Sequence, residues 1–313
     1  MCYRNCFRGL LLLLASCFLS FFTSCQSGQD EVPAPEGQCT FTFSVTNYKQ
    51  ISFDDLSASA TIAATSDPST LDHLLVAVFD AETGQQACTS IQHDYENYKT
   101  KSAEYPLFYV TLPYGHYQVI VLGYNGQKAC TISSPSHISW EENYVPNTFL
   151  YCEELTLNED SEPSKDITLK HVVAAFQLTA EDAIPAELKK MRFISSEGGT
   201  VLNATTGYAL ENTGRTSDIE VPGSYKGKQG VPFTIYYFLP TEQTTSDFIV
   251  QALGVNDVVL NEKHFNDVPL RINYLTEWKG KLFEASDDEP DGEKRAFYIE
   301  WDTQWAGELH IDQ

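Results

Sequence analysis

Between Arg8 and Arg192 the chain contains no arginine at all. Methionine is almost as scarce, with 2 residues against 17 Tyr and 18 Phe, a balance that favours strands over helices. Lys and Arg together number 20 against 43 Asp and Glu, for a net charge of −23. Such a charge repels nucleic acid and anionic lipid and leaves no basic patch to bind either. The seven histidines (His73, His93, His116, His137, His171, His264 and His310) are never closer than 20 positions, which excludes the helical two-histidine zinc motif. No phosphate-cradling glycine loop and no nucleophile-elbow sequence occurs. Asp287 to Gly292 begins like a calcium loop, but its twelfth position is Tyr298, where a bidentate Glu is required, so it reads as a solvated acidic loop. These absences argue against an enzyme, and no cofactor is implied.

What is present begins at the N-terminus. Arg4 and Arg8 precede an almost wholly apolar run from Leu10 to Phe22. Roughly 13 helical residues rise about 20 Å, short of the ~30 Å hydrocarbon core, so residues 1–24 read as an export signal rather than a permanent span. Thr23 and Ser24 then precede Cys25. This resembles the lipobox of bacterial lipoproteins, with Phe22 in place of the usual aliphatic residue, and implies a lipid on Cys25. Residues 25–37 carry Asp30, Glu31, Pro33, Pro35 and Glu36 and have too little apolar content to pack, which suits a flexible tether. Loss of Arg4 and Arg8 with the signal takes the net charge from −23 to −25.

Four cysteines remain: Cys39, Cys88, Cys130 and Cys152. In an exported protein they allow two disulfides in any of three pairings. Cys88 and Cys130 lie in parallel settings, Gly84-Gln-Gln-Ala-Cys88-Thr and Gly126-Gln-Lys-Ala-Cys130-Thr, each just past a turn. Neighbouring return strands would bring them together; four buried free thiols are the alternative. Their spacings fit no zinc knuckle.

The rest reads as many short strands. Phe41, Phe43 and Val45 alternate with polar residues, as in a half-buried strand. Ala58 to Ala64 alternates again, and Asp67 to Thr70 suits a short helical turn. Leu74 to Phe79 is continuously apolar and suits a central strand, followed by a turn from Asp80 to Gly84. Gln92 to Glu104 is polar and irregular. Leu107–Leu112 and Tyr117–Tyr124 are strands around Pro113-Tyr114-Gly115, and Asn125-Gly126 signals a hairpin. Phe149–Leu157 closes a first domain over residues 38–157. The acidic stretch 158–165, with Pro163, reads as a linker to a second domain over 166–313. There Ile167 to Thr179 reads as one long strand whose inward parity switches near His171, as a bulge would cause. Pro185–Met191 reads as a short helix and Gly207–Gly230 as loop or hairpin edge. Met191–Ser195, Phe233–Leu239, Phe248–Leu253, Val258–His264 and Tyr274–Phe283 are strands. Phe297, Ile299, Trp301 and Trp305 share one face of a terminal strand, 296–305. Such punctuation argues for all-β sandwiches. A faint echo, Tyr109-Val-Thr-Leu-Pro113 then a strand against Tyr237-Phe-Leu-Pro240 then a strand, hints at two similar units. Tyr95, Tyr98 and Tyr105, or Trp301 and Trp305, are residue types that stack on sugars, but they are also common strand residues, and packing is the simpler reading.

Four segments carry a resemblance: Leu74 to Asp80, Leu112 to Val119, Leu169 to Phe176, and Val268 to Thr276 running into Lys279 to Phe283. The most distinctive is Arg271-Ile272-Asn273-Tyr274. In their order the segments resemble the fimbrillin-like lipoproteins of type V pili, especially the fimbrial anchor subunits. The resemblance implies two transthyretin-like β-sandwich domains in tandem after a lipoprotein signal peptide. It also implies pilin subunits as partners joined by strand donation, and the outer membrane, facing the cell exterior, as the site of lipid attachment. Thr40–Val45 and Phe297–Trp305 are the two segments able to take part, although each also fits its own sandwich. Shaft subunits of the family look to be activated by cleavage at an arginine near the first strand, and this chain offers none. An anchor or accessory subunit is therefore the expectation. The alternatives are a surface adhesin for glycan or host protein, and a protease-processed shaft or tip pilin.

Overall fold

The computed structural model describes residues 37–49, 65–101 and 103–283. The terminal strand 296–305, the alternating piece at 58–64, the calcium-like loop and Cys25 lie outside the described residues.

The chain enters on β1 (Gln38–Lys49), which buries Phe41, Phe43 and Val45. A register irregularity between Val45 and Asn47 resets the alternation, so that even-numbered Tyr48 is buried as well. β2 (Thr65–Ser66) pairs with the end of β1. Asp67 then caps a single 3-10 turn at Pro68–Thr70, accepting from the Ser69 N–H at 2.9 Å. β3 (His73–Asp80) is buried on both faces over its apolar run, as a continuous run requires. The polar stretch that follows is more ordered than expected, containing β4 (Ile91–Asp94) and the one-turn helix α1 (Tyr95–Tyr98). β5 (Leu107–Pro113) and β6 (Gly115–Asn125) form next, then the short pair β7 (Cys130–Ser134) and β8 (His137–Trp140), then β9 (Asn147–Leu157) and β10 (Ser164–His171).

The second half supplies β11 (Ala174–Ala180), β12 (Lys190–Ser195), β13 (Val201–Asn203), β14 (Tyr208–Ala209) and β15 (Arg215–Glu220). It ends with β16 (Val231–Tyr237), β17 (Gln243–Leu253), β18 (Val259–Arg271) and β19 (Leu275–Gly280). The architecture is all-β, with two sandwiches in tandem. In the first, β1 lies between antiparallel β5 and parallel β10, facing the layer β9-β6-β3-β4. In the second, β11 lies between antiparallel β16 and parallel β19, facing β15-β12-β17-β18. A further sheet, β14-β13-β8-β7, takes two strands from each half.

Three apolar clusters fill the spaces. One lies inside the first sandwich, around Phe43, Val76, Phe108 and Val121. One lies inside the second, around Phe176, Phe193, Phe248 and Trp278. The third covers the outer face of β3-β6-β9 with side chains of the shared sheet and of the crossing: Ala77, Ile120 and Leu122 pack with Ile138, Trp140, Leu202, Val172, Val173 and Phe238. Burial of aromatic and aliphatic side chains at roughly 1.5–3 kcal/mol each is what makes this seam a core rather than a contact.

Several sequence expectations are corrected here. Residues 158–165 do not link two domains. They turn the chain into β10, whose Thr42-facing Ser164 to Tyr48-facing Leu169 complete the first sandwich. The first unit therefore runs to His171, not Leu157. The parity switch at His171 is not a bulge in one strand, because β10 and β11 belong to different sheets and Val172–Val173 carry the chain between them. Asn125-Gly126 is not a hairpin turn, since β6 pairs with β3 and β9 and not with β7. The Asn125 side chain instead accepts from the Asp72 N–H at 2.8 Å. Pro185–Lys189 contains a turn rather than a helix and Lys190–Met191 already belong to β12, and the glycine-rich 207–230 stretch contains β14 and β15.

Candidate functional site

Two places in the molecule combine buried chemistry with a position that matters: the entry strand and the crossing between the sandwiches. At the entry, β1 is paired along both edges, from Gln38–Pro113 to Ser44–Leu107 on one side and from Thr42–Ser164 to Tyr48–Leu169 on the other. The Phe41 and Phe43 rings lie 4.8 Å apart, and Tyr48 meets Phe149 edge-on at 4.8 Å. The Tyr48 hydroxyl hydrogen-bonds Thr70. Of the two segments able to join a neighbour by strand addition, the first therefore sits in its own sandwich.

At the crossing, His171 is buried and stacked on Phe149 at 4.6 Å. Its Nε2 lies 2.5 Å from Asn147 Oδ1 and its Nδ1 3.0 Å from Asn273 Oδ1. Burial pushes its pKa down to about 4, against the ring's usual 6.5. Asn273 adopts a left-handed φ of 67°, which Asn tolerates, and its N–H donates to Val173 O at 2.8 Å. The Arg271 guanidinium lies 4.5 Å from the Tyr274 ring centroid and its Nη2 donates to Glu242 at 2.8 Å. The distinctive Arg-Ile-Asn-Tyr segment is thus the turn that returns the chain to β19 and holds the crossing. Trp140 stacks on Phe238 at 5.5 Å across the same seam, and β8 pairs with β13 through Ser139–Val201 and Ile138–Leu202.

The sequence-derived candidates fall as follows. Cys39, Cys88, Cys130 and Cys152 are free thiols in the structure. Cys88 packs against the core of the first sandwich, whereas Cys130 and Cys152 pack on the other side of β3-β6-β9. The sheet itself stands between Cys88 and Cys130, so the two parallel settings are not brought together. Burial pushes the Cys152 thiol up to about 11 and raises the thiols of Cys88 and Cys130 as well, away from reactivity. Tyr105 is fully buried, donates to Leu71 O at 2.9 Å and meets Tyr95 edge-on at 5.3 Å, which is packing rather than a sugar platform. His73 bridges Asp94 at 2.6 Å and Gly126 O at 2.8 Å; His93 stacks on Phe108 at 4.2 Å. Among the described residues no group of three His, Cys, Asp or Glu is placed to hold a metal ion. None of their helices is long and apolar enough to cross a membrane.

Sequence reading missed Arg215. It opens β15, donates from Nη1 to Tyr236 O at 2.7 Å and lies 5.3 Å from the Tyr237 ring centroid. No periodicity or spacing marks it.

By this construction the protein is an all-β, tandem-sandwich protein whose halves share one seam. The chain belongs to the family of unknown function DUF6562, whose family model matches residues 36–312. No curated protein matches it. Solved structures similar to it include a candidate adhesin from Bacteroides ovatus ATCC 8483, at 13% identity and a TM-score of 0.46 over 78% of this chain and 88% of that one. A fimbrial assembly protein from Parabacteroides distasonis ATCC 8503 is similar at 14% identity and a TM-score of 0.38, over 80% of this chain and 92% of that one. The fimbrial anchor protein Mfa2 from Porphyromonas gingivalis is similar at 13% and 0.35, over 72% and 82%.

Proposed function

We propose that the protein is a surface lipoprotein of a fimbrium: an anchor or accessory subunit, held in the outer membrane by lipid on Cys25 and joined to pilin subunits by β-strand exchange. The observation that carries this reading is how the chain enters its fold. Cys25 directly follows residues 1–24, which read as an export signal, and only thirteen residues later Gln38 begins β1, which is paired on both edges and buried on one face. Without an arginine from residue 9 to 191, arginine-directed cleavage has no purchase near that strand. A subunit that keeps its first strand suits the end of a filament rather than its shaft. The strand offered to a neighbour is then the terminal segment 296–305, adding to an unpaired sheet edge through backbone hydrogen bonds. The segments that carry the family resemblance support the same reading. They fall on β3, on the β5–β6 turn, on the β10–β11 crossing and on β18–β19, the parts that define the tandem.

The test is direct. Cys25→Ala, expressed in cells that make fimbriae, moves the protein from the membrane to the soluble fraction without changing its melting temperature; retention in the membrane would sink the anchor. Pilin subunits copurify with the full chain and are lost on deletion of 296–305. Copurification that survives the deletion would remove that segment as the donor.

A further inference from the structure

One end of the second sandwich gathers cations in a protein of net charge −23. The 181–189 and 221–230 loops and the 254–258 turn meet there. Val221 N–H donates to Lys189 O at 2.8 Å, Ile184 N–H to Lys228 O at 2.9 Å and Lys189 N–H to Leu253 O at 2.8 Å. These bonds place exposed Lys189 and Lys228 on the same end as Lys226. The Lys189 side chain meets that of Lys226 and holds it below the ordinary lysine range, which Glu187 only partly offsets. Lys190 next to them pairs with Asp218 at 3.2 Å and Asp257 at 3.3 Å, but among the described residues no carboxylate forms an ion pair with Lys189, Lys226 or Lys228. The adjoining turn and the start of β18 expose Val255, Val258, Val259 and Leu260, each 40–61% accessible, which is a patch rather than a scatter.

The described residues also end here. Glu181 N–H donates to Gly280 O at 3.0 Å, and Asp182 accepts from the Leu282 and Phe283 N–H groups at 2.9 and 2.6 Å. Lys263, three positions beyond Leu260 on β18, donates from Nζ to Lys281 O at 2.6 Å. The sequence then runs through Glu284, Asp287, Asp288, Glu289, Asp291 and Glu293 with no cation before Lys294, and on to Phe297, Ile299, Trp301 and Trp305.

We propose that segment 284–305 docks on this end of its own subunit, with the acids of 284–293 against Lys189, Lys226 and Lys228 and the apolar residues of 297–305 on Val255, Val258, Val259 and Leu260. Charge and hydrophobicity match in kind: a block of acids seeks cations, and the strongly acidic remainder of the protein repels it. Reach is sufficient, since ten extended residues span up to about 35 Å, more than the roughly 20 Å width of a four-stranded sheet. Attachment through Phe283 makes the contact intramolecular, so that individually weak surface pairs act at high effective concentration. The contact is one of the chain with itself and does not depend on the anchoring role. Under that role, a neighbouring subunit has to displace the segment before taking it as a strand.

Two measurements on the purified chain from residue 26 onward test this. Carbodiimide, which joins amines to carboxylates in contact, links Lys189, Lys226 or Lys228 to acids of 284–293 within monomers, as read by peptide mass spectrometry. Amide hydrogen exchange in 297–305 runs about tenfold or more slower than in a free peptide of the same sequence. Lys189→Glu/Lys226→Glu/Lys228→Glu removes most of that protection, and adding Asp287→Lys/Asp288→Lys/Glu289→Lys restores about threefold or more of it. Links formed only between two copies, no links to the three lysines, exchange at the free-peptide rate, or undiminished protection in a folded lysine variant would each overturn the proposal. Circular dichroism melting reports whether the lysine variant folds. If it does not, Asp287→Lys/Asp288→Lys/Glu289→Lys alone decides, and full protection there overturns the docking. Neither measurement involves a membrane or a pilin, so its outcome is separate from that of the anchoring test.

Discussion

Strand for strand, the two sandwiches correspond. β1 takes the place of β11, β3 of β12, β4 of β15, β5 of β16, β6 of β17, β9 of β18 and β10 of β19. In each, the first strand lies between an antiparallel and a parallel neighbour. Besides β2 and α1, which only the first carries, they differ in one strand-pair insertion apiece. The first sandwich places β7–β8 between β6 and β9, where the second has a tight turn at 254–258; the second places β13–β14 between β12 and β15, where the first has the 81–90 connection. The insertions pair with each other through β8 and β13. The two inserted strand pairs therefore help to join the halves that they distinguish. Two copies of one unit are tied together by unrepeated insertions as well as by the crossing at His171 and Asn273.

That comparison breaks most sharply at the seam. Trp140→Ala removes about 3–5 kcal/mol, in the range of large aromatic truncations. Phe43→Ala in the first core and Phe176→Ala in the second cost about the same. The expected difference is in shape: Trp140→Ala splits one calorimetric transition into two, whereas the core variants shift a single one. One undivided transition for Trp140→Ala would show that the sandwiches are coupled elsewhere.

Acid provides the next largest effect, at the crossing. His171 has a folded pKa near 4 against an unfolded value near 6.5, so between those limits the unfolded chain holds more protons and stability rises with pH. The contribution is complete above about pH 6.5, falls as the pH drops towards about 4 and is absent below; it amounts to about 3 kcal/mol. Urea unfolding at pH 7 and pH 4.5 measures it. His171→Gln should lose this part of the pH slope, and an unchanged slope would assign it to carboxylates.

The smallest effect compares equivalent turns. Gly84, between β3 and β4, and Gly214, before β15, share a φ of +68°. Around Gly84 there is open space, so Gly84→Ala costs about 1 kcal/mol from backbone conformation alone. A methyl at Gly214 would stand 2.4 Å from Ser195 O, and Gly214→Ala costs about 2 kcal/mol or more. Equal losses in chemical denaturation would mean that the backbone around Gly214 yields.

Much of the repeated unit is legible in the sequence, and much of the seam is not. β3 announces itself because burial on both faces leaves no polar position. The echo of Leu112-Pro113 in Leu239-Pro240 marks the equivalent connections that lead into β6 and β17. The parity change at His171 is visible too, but a bulge and a crossing between sheets leave the same trace in a sequence. Asn125-Gly126 carries the dipeptide of a tight hairpin, yet the long-range pairing of β6 with β3 and β9 overrides that local preference. The β8–β13 pair joins residues more than 60 positions apart through two short strands with no pattern of their own. Arg215 is a lone arginine in a glycine-rich stretch, and only the fold reveals that it lies on the Tyr237 ring.

The placement of β1 has a mechanical consequence. A pull on the residues ahead of Gln38 acts along the axis of a strand whose two ladders, to Leu107–Pro113 and to Ser164–Leu169, lie side by side. Such a load strains many backbone hydrogen bonds together instead of opening them one after another. The first strand is therefore placed to resist tension arriving from the N-terminus.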